Sequence, residues 1–270
     1  MPGIAMSQKE YRAHPAISKS DLFKITKSPL HFKWSMENKE EPTPSLIFGS
    51  ACHKYILERE DFDNEFAVYS DIDRRTKAGK EEYARWLSEN EGKSIISADD
   101  MNKIMDMARV IDGNKFAKRL LDGVHERSFF WTDEDTGEEC KCRPDCISVV
   151  GGQHILVDYK TTDNAETEAF RSSAIKYGYD LQDGMYYEGY KANTGHDAIF
   201  IFIAQEKKPP YALNILQADE FMLREGNQLF HDLLGIYHEC KVTGNWYGYM
   251  GSDGDIQNLG LPRWLQKEFE

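Results

Sequence analysis

No run of about 18 apolar residues occurs in this chain, so a membrane-spanning helix is not expected. The opening segment, MPGIAMSQKE, lacks the apolar stretch of an export signal, which makes the cytoplasm the expected compartment. Basic residues are in deficit: 33 Lys and Arg stand against 46 Asp and Glu, a formal net charge of -13. That excludes a protein that coats nucleic acid by bulk positive charge. It does not exclude a DNA enzyme, because the field in a groove depends on where charges sit. Cysteine is scarce, five residues with no C-x-x-C pair, and without an export signal these are expected as reduced thiols. No internal repeat or low-complexity tract is present.

What remains is an ordinary globular composition of 270 residues, 40% hydrophobic and 29% charged, enough for a sizeable core. The first half reads as helices. Ser18 or Ser20 can cap one, and Ser28-Pro29 opens another with Pro where its missing N–H costs nothing. Phe48, Cys52, Tyr55 and Ile56 recur at helical spacing over Leu46 to Glu58. Residues 59–80 read as a loop, followed by helix from Lys80 to Asn90 and a capped helix after Ser97. The pattern then changes to strands over Val124–Thr132, Glu139–Val149 and His154–Lys160. A long helix is expected from about Ala165 to Asn193, then strands Asp197–Ala204 and Tyr211–Leu216, then a helix over 218–242. The expectation is one α/β domain over 1–270, with a mixed central sheet flanked by helices. Its helical part covers about 15–120, its catalytic part about 124–242, and its irregular tail 243–270.

The chemistry gathers at Arg143-Pro144-Asp145 and Val157-Asp158-Tyr159-Lys160. Two neighbouring strands joined by a tight turn can bring Asp145 and Asp158 together, and strand alternation puts Asp158 and Lys160 on one face with Tyr159 on the other. Two carboxylates beside one ammonium suit a hard divalent cation, Mg²⁺ or Mn²⁺. Asp-x-Lys at a strand end is more often a surface salt bridge. Here, however, Asp158 follows the apolar Ile155-Leu156-Val157, where an unpaired carboxylate is costly.

Pro-Asp followed by an apolar strand ending in Asp-x-Lys resembles the PD-(D/E)XK nuclease superfamily. His53, in Phe-Gly-Ser-Ala-Cys-His, is similar to the helical metal-ligating histidine of its RecB-like branch, and Gln182 and Tyr186 match that branch's Q-x-x-x-Y motif. Ile-Ser-Lys-Ser, Ser-Pro-Leu-His-Phe-Lys, Arg75-Thr-Lys, Glu126 with Phe130-Trp131, and Ala204-Gln205-Glu206 with Pro209-Pro210-Tyr211 resemble RecE-type exonucleases, the exodeoxyribonuclease VIII group, over about 15–240. The resemblance implies a restriction-endonuclease-like fold. It implies metal binding by His53, Asp145 and Asp158 with the Tyr159 carbonyl as a further ligand, Lys160 as catalytic lysine, and Gln182 and Tyr186 at the site or on the DNA. It further implies Mg²⁺-dependent 5′-to-3′ digestion of linear double-stranded DNA to leave 3′ single strands. The implied assembly is a homo-oligomeric ring, tetramer favoured, with a RecT-type single-strand annealing protein as partner. The competing readings are a RecB-like or CRISPR-associated exonuclease of other polarity, and a non-catalytic DNA-end-binding module.

Several residues keep two readings. His53 alone is more often a packed helical histidine, and Tyr186 a core aromatic. Glu126 can support the ligands from behind or form a salt bridge. Arg74, Arg75, Lys77 and Lys80 are a solvated loop or phosphate contacts. Cys140, Cys142 and Cys146 lack the C-terminal cysteine group of the cluster-bearing nucleases, so no iron–sulfur cluster is expected. Trp246, Tyr247, Tyr249 and Trp264 can stack on bases or pack between subunits.

Overall fold

In the computed structural model the described residues are 3–38, 41–69, 75–254 and 256–260. The frame is a five-stranded mixed sheet in the order Leu213–Gln217, Ala198–Glu206, Gln153–Thr162, Cys146–Val150, Val124–His125. The central strand, Gln153–Thr162, runs parallel to Ala198–Glu206 and antiparallel to Cys146–Val150. A parallel neighbour needs a crossover, and the segment between the two strands supplies it as helices. The expected single long helix is in fact two, Thr167–Tyr177 and Tyr179–Thr194, broken at Gly178 with φ 62°. Phe23 sits where a Cβ on Gly178 would go, 2.5 Å away, so glycine serves both the left-handed turn and the close packing.

Both faces of the sheet are covered. On one, Val157, Tyr159, Ile201 and Ile203 pack against Ala51 and Cys52 of the helix Pro44–Leu57 and against Ile104, Met107 and Ile111 of Ala98–Gly113. On the other, Leu156, Phe200 and Phe202 meet Phe170 and Tyr190 from the crossover helices. A further apolar cluster joins the N-terminal helices Lys19–Ile25 and Pro29–Glu37 to Tyr179–Thr194 and the last helix, Glu220–Thr243. Segment 59–80 is not simply a loop. It carries the strand Phe66–Tyr69, paired in parallel with Ser94–Ser97, and its helix begins at Lys77, earlier than expected.

Two expected strands are each divided. Val124–Thr132 separates into Val124–His125 and Arg127–Thr132, and Glu139–Val149 into Glu139–Cys142 and Cys146–Val150. The outer pieces belong to a second, four-stranded sheet ordered Ile4–Ala5, Arg127–Thr132, Glu139–Cys142, Ile17–Ser18. The breaks fall at Glu126, whose φ is 52°, and at Arg143-Pro144-Asp145. Both strands therefore leave the main sheet at the same level. The ladder between Cys146–Val150 and the central strand stops at Cys146 opposite Val157. Asp158 to Thr162 continue beyond it, paired only on the Ala198–Glu206 side.

Candidate metal centre and active site

The split in the sheet makes the site. Asp145 lies one residue before the ladder begins, which sets it beside Asp158 and Tyr159. In place of a ladder bond, the Tyr159 main-chain N–H donates to Asp145 Oδ2 at 2.7 Å. Asp158 is 2% exposed. Its Oδ1 accepts a hydrogen bond from Gln182 Nε2, and its Oδ2 forms an ion pair with Lys160 Nζ without hydrogen-bond alignment. His53 arrives from the opposite layer on the helix Pro44–Leu57, whose Gly49 lies close over Thr161. Its Nδ1 is 3.4 Å from Asp145 Oδ2, and its ring stands edge-on to Tyr159 with centroids 5.3 Å apart. Glu126 completes a group in which one donor atom each of His53, Glu126 and Asp145 lies within 4.8 Å of the others.

Burial dominates the electrostatics. It raises the Asp145 pKa well above the carboxylate range, and the neighbouring Asp158 charge adds to the rise. Burial, then Asp145, lifts Glu126 to about 7 despite the Arg143 guanidinium against it. The His53 pKa is lowered by burial and by Lys160, which favours the neutral imidazole that can ligate. Burial pulls Lys160 down, but Asp158 and Asp145 outweigh it and the net shift is upward, so its ammonium stays charged. Buried carboxylates that repel one another and a neutral imidazole at one point form a donor set that fits a divalent cation such as Mg²⁺ or Mn²⁺.

The residues singled out from sequence divide clearly. Asp145, Asp158, Lys160, Gln182 and His53 converge. Gln182 reaches Asp158 from Tyr179–Thr194, and Tyr186, one turn on, packs against Phe200, its pKa raised by burial and further by Tyr11 and Asp158. The Tyr159 side chain points the other way, donating to Gln205 Oε1 at 2.7 Å, while its main chain hydrogen-bonds the His53 ring. Glu126 fulfils the salt-bridge reading through Arg143 and also joins the donor group. Asp158 stands outside that group, turned to Lys160 and Gln182. Lys77 and Lys80 are exposed on the helix Lys77–Glu89, with Lys77 3.9 Å from Glu81. Arg75 is in the turn before it, and Arg74 lies outside the described residues, as does Trp264. Trp246 stacks on Phe32 within the chain, at 5.5 Å between centroids.

Sequence reasoning quoted Arg143 and Lys19 within motifs but gave neither a role of its own, and it passed over Tyr179. Arg143 is 8% exposed, holds Glu126 through Nε and lies 5.7 Å from the Tyr11 ring centre. Its signal was its place immediately before Pro-Asp. A second carboxylate–histidine group, Asp133, Glu188 and His231, is closed on itself. The two ring nitrogens of His231 face Asp133 at 3.5 Å and Glu188 at 2.9 Å, tying the 132–139 hairpin to the two long helices.

A split mixed sheet with Asp145, Asp158 and Lys160 at the split defines a PD-(D/E)XK-type protein. The chain belongs to the family described as "PDDEXK-like domain of unknown function (DUF3799)", which it matches over residues 18–253. Among solved structures it is similar to a protein of Eubacterium rectale described as a "Putative exonuclease". The identity is 14% and the TM-score 0.63, over 96% of this chain and 97% of that one. A likeness to SSO0001, at 15% identity and TM-score 0.29 over 84% and 93%, is too slight to bear on the fold. No curated protein sequence matches significantly.

Proposed function

We propose that this protein is a Mg²⁺-dependent exodeoxyribonuclease that degrades linear double-stranded DNA from its 5′ ends and leaves 3′ single strands for annealing. The observation that carries the reading is the convergence of Asp145, Asp158, Lys160, Gln182 and His53 where two strands leave the sheet. Asp145, Asp158 and His53 would hold the cation, with the Tyr159 carbonyl as a further ligand and Glu126 beside them. When bound, it supplies Lewis-acid polarisation of the phosphate and makes water a better nucleophile.

The chain's own groups do the positioning. Gln182 fixes the Asp158 carboxylate, and the Tyr159 N–H fixes that of Asp145, so neither has to reorganise during reaction. Lys160 keeps its proton and offers charge to a phosphate oxygen as water attacks phosphorus and the opposite P–O bond breaks. The buried setting strengthens each of these contacts. Polarity, a ring assembly with a tetramer favoured, and a RecT-type annealing partner belong to the same reading and rest on the RecE-like motifs.

The test is digestion with Mg²⁺ of end-labelled linear duplex and of covalently closed circles. Loss of 5′ label from linear DNA with circles spared supports the reading. Equal rates on both indicate an endonuclease, shortening from 3′ ends indicates the other polarity, and retention of all DNA indicates an end-binding module.

A further inference from the structure

Lys19 opens the helix Lys19–Ile25 directly after the short strand Ile17–Ser18, which pairs with Glu139–Cys142 of the second sheet. Asp21 accepts from both the Ser18 N–H and its hydroxyl, at 3.1 and 2.6 Å, so the start of this helix is held firmly. The Lys19 ammonium donates to the Tyr177 carbonyl at 2.6 Å and lies 4.9 Å from the Phe23 ring centre and 5.7 Å from that of Tyr179. The Lys160 ammonium lies 4.9 Å from the same Tyr179 ring. Two ammonium groups from distant segments thus share one aromatic ring beside Asp158.

Like the buried Lys141, which donates to the carbonyls of Tyr11 and His14, Lys19 differs from the ion-paired lysines in what it faces. Lys33, Lys54, Lys103 and Lys191 each have a carboxylate within 3.2 Å. Lys19 forms no ion pair with a carboxylate among the described residues, and its one hydrogen-bond acceptor is a neutral carbonyl. An ammonium has three donors, so that carbonyl leaves two free. Burial, and then the Lys160 charge, push its pKa down to about 8. Asp158, already paired with Lys160, and Asp180 offset part of this repulsion, and a phosphate between the two ammonium groups would offset more of it. In a chain of net charge -13, a strand of DNA has to be held by such local cations.

We propose that Lys19 and Lys160, over the Tyr179 ring, form a two-point phosphate clamp in which Lys160 meets the phosphate being cut and Lys19 holds a neighbouring internal phosphodiester of the same strand. This rests on the nuclease reading. Lys19 is a substrate-binding residue here, and its bond to the Tyr177 carbonyl aims the ammonium.

The test uses the full chain with fluorescent linear duplex in Ca²⁺, without Mg²⁺, across a salt series. Lys19→Gln is expected to weaken binding and to make the slope of log affinity against log salt shallower by about 0.7–0.9, the share of one phosphate contact. The loss is equal for 5′-phosphorylated and 5′-hydroxyl ends, and Lys19→Arg restores the slope. Amine footprinting of the wild-type chain reads the same contact without a variant. Lys19 is acylated in the free protein and protected several-fold by duplex. Unchanged affinity, slope and acylation overturn the clamp and leave Lys19 with its structural bond to the Tyr177 carbonyl alone. A loss confined to 5′-phosphorylated ends overturns the internal-diester assignment in favour of a terminal-phosphate pocket. If the wild-type chain binds DNA through Lys19 but cuts nothing with Mg²⁺, the nuclease reading fails and the phosphate contact stands.

Discussion

Replacing Glu126 by Gln should make the metal-free protein more stable at about pH 8, although it removes half of an ion pair. Glu126 faces Asp145, Arg143, His53 and Glu58, and burial is the largest influence on it, raising its pKa from 4.5 to about 7. At about 1.36 kcal/mol per pKa unit this corresponds to about 3 kcal/mol against the ionised form. Below pH 4.5 both folded and unfolded chains keep the proton and that cost is absent. Between 4.5 and about 7 the unfolded chain ionises first, so stability falls as pH rises through this window and then levels. The substituted amide cannot ionise, and its oxygen can still accept from Arg143 Nε. Groups titrating in both proteins largely cancel in the difference. Urea unfolding in EDTA should therefore give nearly equal midpoints at about pH 4.5 and a gain of about 3 kcal/mol for Glu126→Gln at about pH 8. A variant less stable than wild type at both pH values would refute the reasoning, because the Arg143 pair would then outweigh desolvation. Adding Mn²⁺ should narrow the gap, since a cation binding only the folded state at a hundred times its Kd adds about 2.7 kcal/mol.

Asp158→Asn should abolish Mg²⁺-dependent cleavage while the unfolding transition stays cooperative, and near-wild-type turnover would remove Asp158 from the centre. Lys160→Met should lower kcat by on the order of 10²–10³ with KM changed far less; an effect on KM alone would recast it as a binding residue. Gly226→Ala should cost about 3 kcal/mol or more in urea unfolding, because a Cβ there would lie 1.9 Å from the Asp180 carbonyl where the two long helices cross. A midpoint close to wild type would mean that the crossing relaxes readily. Arg75→Ala with Lys77→Ala should weaken duplex binding and flatten its salt dependence if that cluster meets phosphates, whereas unchanged binding assigns it to solvent.

Much was legible along the chain because it is local. Alternation alone sets Asp158 and Lys160 on one face and Tyr159 on the other, and the register bears this out, with Asp158 opposite Phe202 and Lys160 opposite Ala204. The i, i+4 spacing of Gln182 and Tyr186 places both on one helix face, and an apolar run such as Ile199–Ala204 marks an interior strand. The caps at Ser28 and Ser97 were likewise readable from residue type.

What the chain order could not express is where strands change partners. Val124–Thr132 and Glu139–Val149 each look continuous, since alternation is the same whichever sheet a strand joins. Only tertiary packing divides them, at Glu126 and at Arg143–Asp145, and that division opens the edge of the central strand. It brings His53 from one layer to Asp145 and Gln182 from the other to Asp158. Lys19 shows the same limit. Its residue type and neighbours were plain, but a lysine 141 positions before Lys160 acquires meaning only when Tyr179 lies between the two, a proximity made by three packed segments and by no spacing in the sequence.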